Sequence, residues 1–295
     1  MGWHRIFAGL ACVAVAATVL AYGYLFGGWF TVKRSLAEHR AFLSAAFDLR
    51  LPPAADGPAP AAILMPGCLG TQGHHRDWAA FLRRQGWATL TVDSFTPRGL
   101  HGTAALTRVC EGEDVWGFER AADILAAIVH LSTRPRVDPG RIVLFGWSHG
   151  AWAAMDALTF GPASRPTNLK ALPDSAVANI TDDIAGAVLF YPYCGWGTRS
   201  RTRGWHRRVP ALLFLAGRDR NVPTGACIAT AAALKDSGIP IEETVFPEAT
   251  HWFDHQGGDA LMPHTYSPMA TAMARSQTQA FLARLAGRTD TRKGN

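Results

Sequence analysis

Short apolar runs alternate with longer amphipathic stretches from residue 61 to residue 285, and few architectures accommodate that order. Residues 61–65, 87–92, 141–145, 186–191, 211–216 and 241–246 read as strands. Between and after them, residues 77–85, 115–131, 149–159, 224–237 and 268–285 read as helices. The 115–131 segment carries an apolar stripe of Phe118, Ala122, Ile124, Leu125 and Ile128, and the 77–85 segment one of Trp78, Phe81 and Leu82. Turns such as Pro66-Gly67 and Pro139-Gly140 separate the elements. Strands alternating with helices in this way predict an α/β class, with a mostly parallel sheet and helices on both faces. The chain has 295 residues, 48% apolar and 18% charged, which excludes a disordered polymer and allows one substantial core without metal or disulfide support.

The N-terminus stands apart. No charge occurs from Ile6 to Val32, and about 20 apolar residues in a helix span a bilayer. Trp29 and Phe30, followed by Lys33 and Arg34, suit an interface. A cleaved signal would end at a small-x-small site such as Ala14-Val15-Ala16, but the apolar run continues well past it. The expectation is a single-pass transmembrane helix preceding the α/β domain, with a cleaved signal as the alternative. The expected plan is an anchor over 1–33, a connector over 34–57, the α/β domain over 58–288 and a polar tail over 289–295.

Two signs bear on the compartment and disagree. Lys33, Arg34 and Arg40 outnumber Arg5 across the apolar run, which favours a cytoplasmic domain. Downstream lie four cysteines, Cys68, Cys110, Cys194 and Cys227, an even number compatible with an oxidising exterior. An extracytoplasmic domain is the expectation. Cys68 and Cys110 flank two loops near one end of the sheet, and either a disulfide or two buried thiols is compatible with that placement.

The net charge of +6 is local. Arg199, Arg201, Arg203, Arg207 and Arg208 lie within ten residues, and without them the excess falls to +1. A nucleic-acid binder carries a basic face interleaved with stacking aromatics, so no nucleic-acid partner is expected. The Arg-rich loop is read as solvated, with attraction of an anionic substrate or lipid headgroups as the alternative.

The segment Leu144-Phe145-Gly146-Trp147-Ser148-His149-Gly150-Ala151-Trp152 matches G-x-S-x-G between an apolar strand and an Ala-rich helix. A sharp strand-to-helix turn of this kind leaves no room for β-carbons on either side and lifts the Ser148 hydroxyl above the sheet. A serine hydroxyl needs a base, usually an imidazole oriented by a carboxylate. Leu212 to Asp219 reads as a strand running into a turn that presents Asp219, and Pro247-Glu248-Ala249-Thr250-His251 places His251 just beyond the next strand. Parallel strands put their C-terminal ends together, so all three residues belong to one rim. His74, His75, His255 and His264 have no comparable strand context, and no metal and no cofactor are expected. For an oxyanion the candidate donors are the backbone N–H groups of His149, after the nucleophile, and of Cys68, in the loop Pro66-Gly67-Cys68-Leu69-Gly70. Trp147, Tyr191 and Trp252, together with Trp152 and Tyr193, are candidates for the wall of an apolar substrate pocket.

The GWSHG turn, the Gly217-Arg218-Asp219 turn, the Ala249-Thr250-His251-Trp252-Phe253 loop and the Asp93-Ser94-Phe95-Thr96-Pro97-Arg98-Gly99 segment together resemble the dienelactone hydrolase family of α/β-hydrolases. The resemblance covers about residues 58–288. It implies an α/β-hydrolase fold and a triad carried on Ser148, Asp219 and His251, with oxyanion donors at Cys68 and His149. The enzymes that give the family its name use cysteine where this chain has Ser148, and many relatives have histidine where it has Pro66. The function expected is therefore a serine hydrolase that cleaves a small-molecule carboxylic ester or lactone through an acyl-enzyme on Ser148, tethered to the membrane by its N-terminal helix. A peptidase or acyltransferase of the same fold, or a non-catalytic membrane-tethered scaffold, are the alternatives.

Overall fold

The computed structural model describes residues 2–25, 32–53, 57–162, 164–257 and 264–292. Among the described residues seven strands make one sheet: β1 (Phe47–Arg50), β2 (Ala59–Met65), β3 (Ala88–Val92), β4 (Val137–Trp147), β5 (Ile184–Phe190), β6 (Ala211–Ala216) and β7 (Ile241–Phe246). Their spatial order is β1-β3-β2-β4-β5-β6-β7. All neighbours are parallel except β1, which pairs antiparallel with β3 from Phe47↔Val92 to Arg50↔Thr89.

Burial explains the composition of the strands. In β4, Ile142 and Leu144 enter one core while Val143, Phe145 and Trp147 enter the other. A strand covered on both faces must be apolar at every position, which is why the middle strands read as continuous runs rather than alternations. Edge strand β7, IEETVF, keeps Glu242 exposed and buries Ile241 and Phe246.

One face is covered by helices α5 (Gly117–Ser132), α6 (His149–Ala157) and α9 (Thr224–Asp236), the other by α3 (Gly73–Arg84) and α10 (Pro268–Arg292). The remaining helices are α1 (Gly2–Leu25), α2 (Leu36–Ser44), α7 (Asp174–Asp182) and two short ones, α4 (Gly102–Ala105) and α8 (Arg199–Arg203).

The connector expected over 34–57 is instead built into the domain. A capping box starts α2: Ser35 Oγ accepts from the Glu38 N–H at 3.2 Å, and Glu38 accepts from the Ser35 N–H at 2.7 Å. The helix buries His39 and Leu43, and His39 Nε2 lies 2.7 Å from Asp123 on α5. Asp123 also accepts two hydrogen bonds from Arg98, at 2.9 and 3.1 Å. Residues 47–50, which continue the apolar spacing of α2, peel away as the antiparallel edge strand. A second difference is α7, inside a stretch whose Pro, Ser and Asn content reads as loop; Val177 and Thr181 are buried there. A third is the tail, where α10 continues to Arg292.

Among the described residues no helix is long and apolar enough to cross a membrane, so the expected spanning segment is not found. The described side chains of α1 run from Ile6 to Ala21, all exposed. The continuation of the apolar run over 26–31 lies outside the described residues. Two disulfides, Cys68–Cys110 and Cys194–Cys227, have Cα separations of 5.2 and 5.0 Å.

Candidate active site

The turn after β4 is built by two glycines. A β-carbon on Gly146 would stand 2.5 Å from the Ala151 Cα, and one on Gly150 would stand 1.9 Å from the Met65 carbonyl oxygen. Between them Ser148 takes φ 53° and ψ −119°, a left-handed backbone unfavourable to any side chain. Its N–H donates to the Phe190 carbonyl at 2.9 Å and its C=O accepts from the Trp152 N–H at 3.0 Å, so the neighbouring strand β5 and helix α6 hold the strained residue.

Asp219 and His251 meet. The Asp219 carboxylate accepts at Oδ1 from the N–H groups of Asn221 (2.9 Å) and Val222 (3.1 Å), which fixes its rotamer. Its Oδ2 lies 2.7 Å from His251 Nδ1, with both side chains buried. An ionised carboxylate only accepts, so Nδ1 carries the proton and Nε2 is the free basic nitrogen. The Tyr191 ring backs the imidazole at 4.5 Å between centroids. Ser148 and His251 line the same cleft, of about 540 Å³, together with Cys68 and His149. Among the described contacts none joins the Ser148 hydroxyl to the His251 imidazole; the two residues share the cleft lining.

Cys68 and His149, the two candidate oxyanion donors, line the cleft with Ser148. A β-carbon on Gly67 would lie 3.6 Å from the Ser148 β-carbon, so the loop after β2 packs directly against Ser148. His149 opens α6, where backbone N–H groups have no partner within the helix.

A residue absent from the expectations holds this region together. Arg120 on α5 is fully buried and donates from Nε to Ser94 Oγ (3.0 Å) and from one terminal nitrogen to the Pro66 carbonyl (2.8 Å). Its other terminal nitrogen lies 3.0 Å from His149 Nδ1. Burial pulls this guanidinium down to about 9 against the pull of Asp123. Burial, and then Arg120, also push the His149 imidazole well below its ordinary value, so that ring is neutral. Nothing in the spacing of a helix stripe marks one arginine as inward-facing, and only its partners reveal it.

The substrate-wall expectation divides. Trp152 and Tyr193 line the cleft, joined by Trp116 and Trp196. Trp147, Tyr191 and Trp252 do not: they are buried in the core on the α3–α10 face. There Asp254 gathers aromatic donors, the indole N–H groups of Trp78 (2.8 Å) and Trp147 (3.0 Å) and the Tyr191 hydroxyl (2.7 Å). For Trp147 the alternation of β4 decides this, because its side chain, one place before the turn, points into a core layer and not over the rim. The Arg-rich loop is also not part of the cleft lining. Arg199 reaches the Arg165 carbonyl at 2.7 Å, Arg207 binds Asp182, and Arg208 binds the Ser237 carbonyl. A separate cleft of about 410 Å³, around Phe42, Arg98 and Asn168, contains none of these candidate catalytic residues.

Residues 174–286 match the dienelactone hydrolase family, a segment that carries Asp219 and His251. Among solved structures, the chain superposes on a Klebsiella pneumoniae protein assigned as a dienelactone hydrolase, with TM-score 0.59 and 18% identity over 80% of this chain and 92% of that one. It also superposes on Thermogutta terrifontis esterase 2, seen phosphorylated by paraoxon (TM-score 0.58, 18% identity, 81% and 88% coverage) and with butyrate bound (TM-score 0.56, 18% identity, 81% and 88% coverage). A comparison with curated proteins finds no match. The sheet order and the glycine-flanked serine turn belong to an α/β-hydrolase fold, and the C-terminal segment 174–286 is similar to the dienelactone hydrolase family.

Proposed function

We propose that the chain is a serine hydrolase that cleaves carboxylic esters or lactones through an acyl-enzyme on Ser148. The observation that carries this reading is the buried 2.7 Å contact of His251 Nδ1 with Asp219, on the cleft that Ser148 also lines. In the proposed reaction His251 Nε2 takes the Ser148 proton as Oγ attacks the ester carbonyl. The oxyanion that forms accepts from the N–H groups of Cys68 and His149. His251 then returns the proton to the departing alcohol, and water repeats the sequence to release the acid. Asp219 keeps the imidazole in the Nδ1–H tautomer and stabilises its cation.

Thermogutta terrifontis esterase 2 takes phosphoryl and phosphonyl groups from organophosphates, and the same chemistry tests this proposal. A fluorophosphonate probe is expected to label Ser148 stoichiometrically. Ser148→Ala is expected to abolish labelling and to lower turnover of ethyl butyrate by about 10⁴-fold or more. Undiminished turnover in a folded Ser148→Ala variant overturns the mechanism.

The domain is further proposed to work on the oxidising side of a membrane. The support is the pairing of all four domain cysteines as Cys68–Cys110 and Cys194–Cys227, since such bonds persist outside the reducing cytosol. Thiol titration of protein recovered from its native host under alkylating conditions is expected to find these four cysteines oxidised; free thiols there would refute it.

A further inference from the structure

The lining of the cleft points to a substrate class. Four aromatic residues form a continuous wall: Trp196 contacts Trp116 (5.3 Å between centroids), Trp116 contacts Trp152 (5.8 Å), and Trp152 contacts Tyr193 (5.0 Å). This wall is built into the backbone. A β-carbon on Gly117 would fall 2.3 Å from the Trp152 ring, one on Gly197 2.3 Å from the Trp116 ring, and one on Gly195 2.4 Å from the Tyr193 hydroxyl. Three glycines thus vacate the space that three rings fill. Buried Asp156 locks the Trp152 indole by accepting its N–H at 2.8 Å. At the mouth Trp196 is 58% exposed.

The charge of the lining is equally specific. Among the described residues it includes one carboxylate, Glu111, and neither lysine nor arginine. Arg201 acts on the Tyr193 phenol from outside the lining. A carboxylate-bearing substrate would lose water here with no cation in the lining to pair it, and the exposed Glu111 adds a weak, solvent-screened repulsion.

We propose that the natural substrate is an uncharged ester bearing an aromatic group, whose ring lies against the Trp116–Trp196 wall while the carbonyl meets Ser148. This rests on the ester-hydrolase reading above and adds to it the class of molecule. A cleft of about 540 Å³ suits a compact ligand of this kind, and aromatic pairs prefer the edge-to-face and offset arrangements these rings already adopt.

The test compares kcat/KM for ethyl 3-phenylpropanoate, ethyl butyrate and monoethyl glutarate, for the full chain and for Trp196→Ala and Trp196→Phe. The phenyl ester is expected to exceed the butyrate by about tenfold or more, and the anionic ester to fall about tenfold or more below it. Trp196→Ala is expected to reduce the phenyl-to-butyrate ratio to about threefold or less, and Trp196→Phe to retain most of it. Equal or better hydrolysis of monoethyl glutarate, or a ratio that Trp196→Ala leaves untouched, overturns the assignment. Fluorophosphonate labelling of Ser148 with butyrate hydrolysis but no aromatic preference refutes this inference alone. Absence of both labelling and ester hydrolysis refutes the ester-hydrolase reading beneath it.

Discussion

Ser148, Tyr191, Trp252 and Val115 are the four non-glycine residues with positive φ among those described, at 53°, 36°, 58° and 52°. Each stands at or beside the cleft: Ser148 is the nucleophile candidate, Trp252 follows His251, Tyr191 backs its ring, and Val115 precedes Trp116. Strain of about 1–3 kcal/mol per residue persists only where surrounding contacts over-determine it. Gly150 is one of those contacts. Its missing β-carbon lets α6 sit against the Met65 carbonyl, and Gly150→Ala is expected to cost about 3 kcal/mol or more in urea unfolding. Arg120 makes a different prediction. Replacement by Met removes the donor that pins the Pro66 carbonyl, and with it the orientation of the next peptides toward Cys68. Arg120→Met is expected to lower kcat by about 10- to 100-fold with a much smaller change in KM, in a protein whose near-ultraviolet circular dichroism is unchanged. The serine, carboxylate and imidazole were legible in the sequence because each follows an apolar strand at a turn. Arg120 was not, since its role depends on three partners from three other segments.

At the scale of elements, the loops at the C-terminal rim are cross-braced. The Cys68–Cys110 disulfide joins the loop over Ser148 to the turn Leu106–Cys110, which contributes to the cleft wall. The Cys194–Cys227 disulfide joins the loop carrying Tyr193 and Trp196 to α9, just beyond the loop that presents Asp219. The first bond closes a sequence separation of 42 residues, for which the loss of unfolded-chain freedom is about 4 kcal/mol. The Cys68→Ser/Cys110→Ser double variant is expected to lose about that much stability and to show a higher KM for the phenyl ester. Thermal melts and steady-state kinetics check the two effects. The strands and principal helices were readable from periodicity, because burial on both faces or on one stripe leaves a direct imprint. Helix α7 was hidden by its polar, loop-like composition, and strand β1 by its position next to a helix with the same apolar spacing.

For the whole molecule, buried titratable groups set opposing pH dependences. Burial lowers His74 from 6.5 to about 4, and His251, His255 and His264 push in the same direction while Asp254 opposes them. The unfolded chain therefore binds a proton on His74 at a pH where the folded chain does not. Stability from this group is complete above about pH 6.5 and is lost as pH falls through about 4, a difference of roughly 3 kcal/mol. Asp156 acts with the opposite sign. Burial raises it from 3.8 to about 6, so its contribution is complete below about pH 3.8 and is lost as pH rises through about 6, again roughly 3 kcal/mol. In denaturant titrations from pH 4 to 8, His74→Gln is expected to flatten the acid-side loss of stability, and Asp156→Asn to steepen it. Identical slopes in all three proteins contradict these assignments.

Pattern along the chain determined the α/β architecture, the serine turn and the three residues of the proposed relay, because each rests on local geometry: periodicity, glycine at a sharp turn, and a polar residue at the end of an apolar strand. Which aromatic side chains reach the cleft was a tertiary matter. Trp147, Tyr191 and Trp252 pack beneath the rim around Asp254, whereas Trp116, Trp152, Tyr193 and Trp196 line the opening. That division depends on the side of the sheet toward which each backbone turns and on the three glycines that make room for the rings. The neutral, aromatic character of the cleft likewise emerges only when loops remote in sequence are brought together, with the clustered arginines held outside its lining by the folded chain.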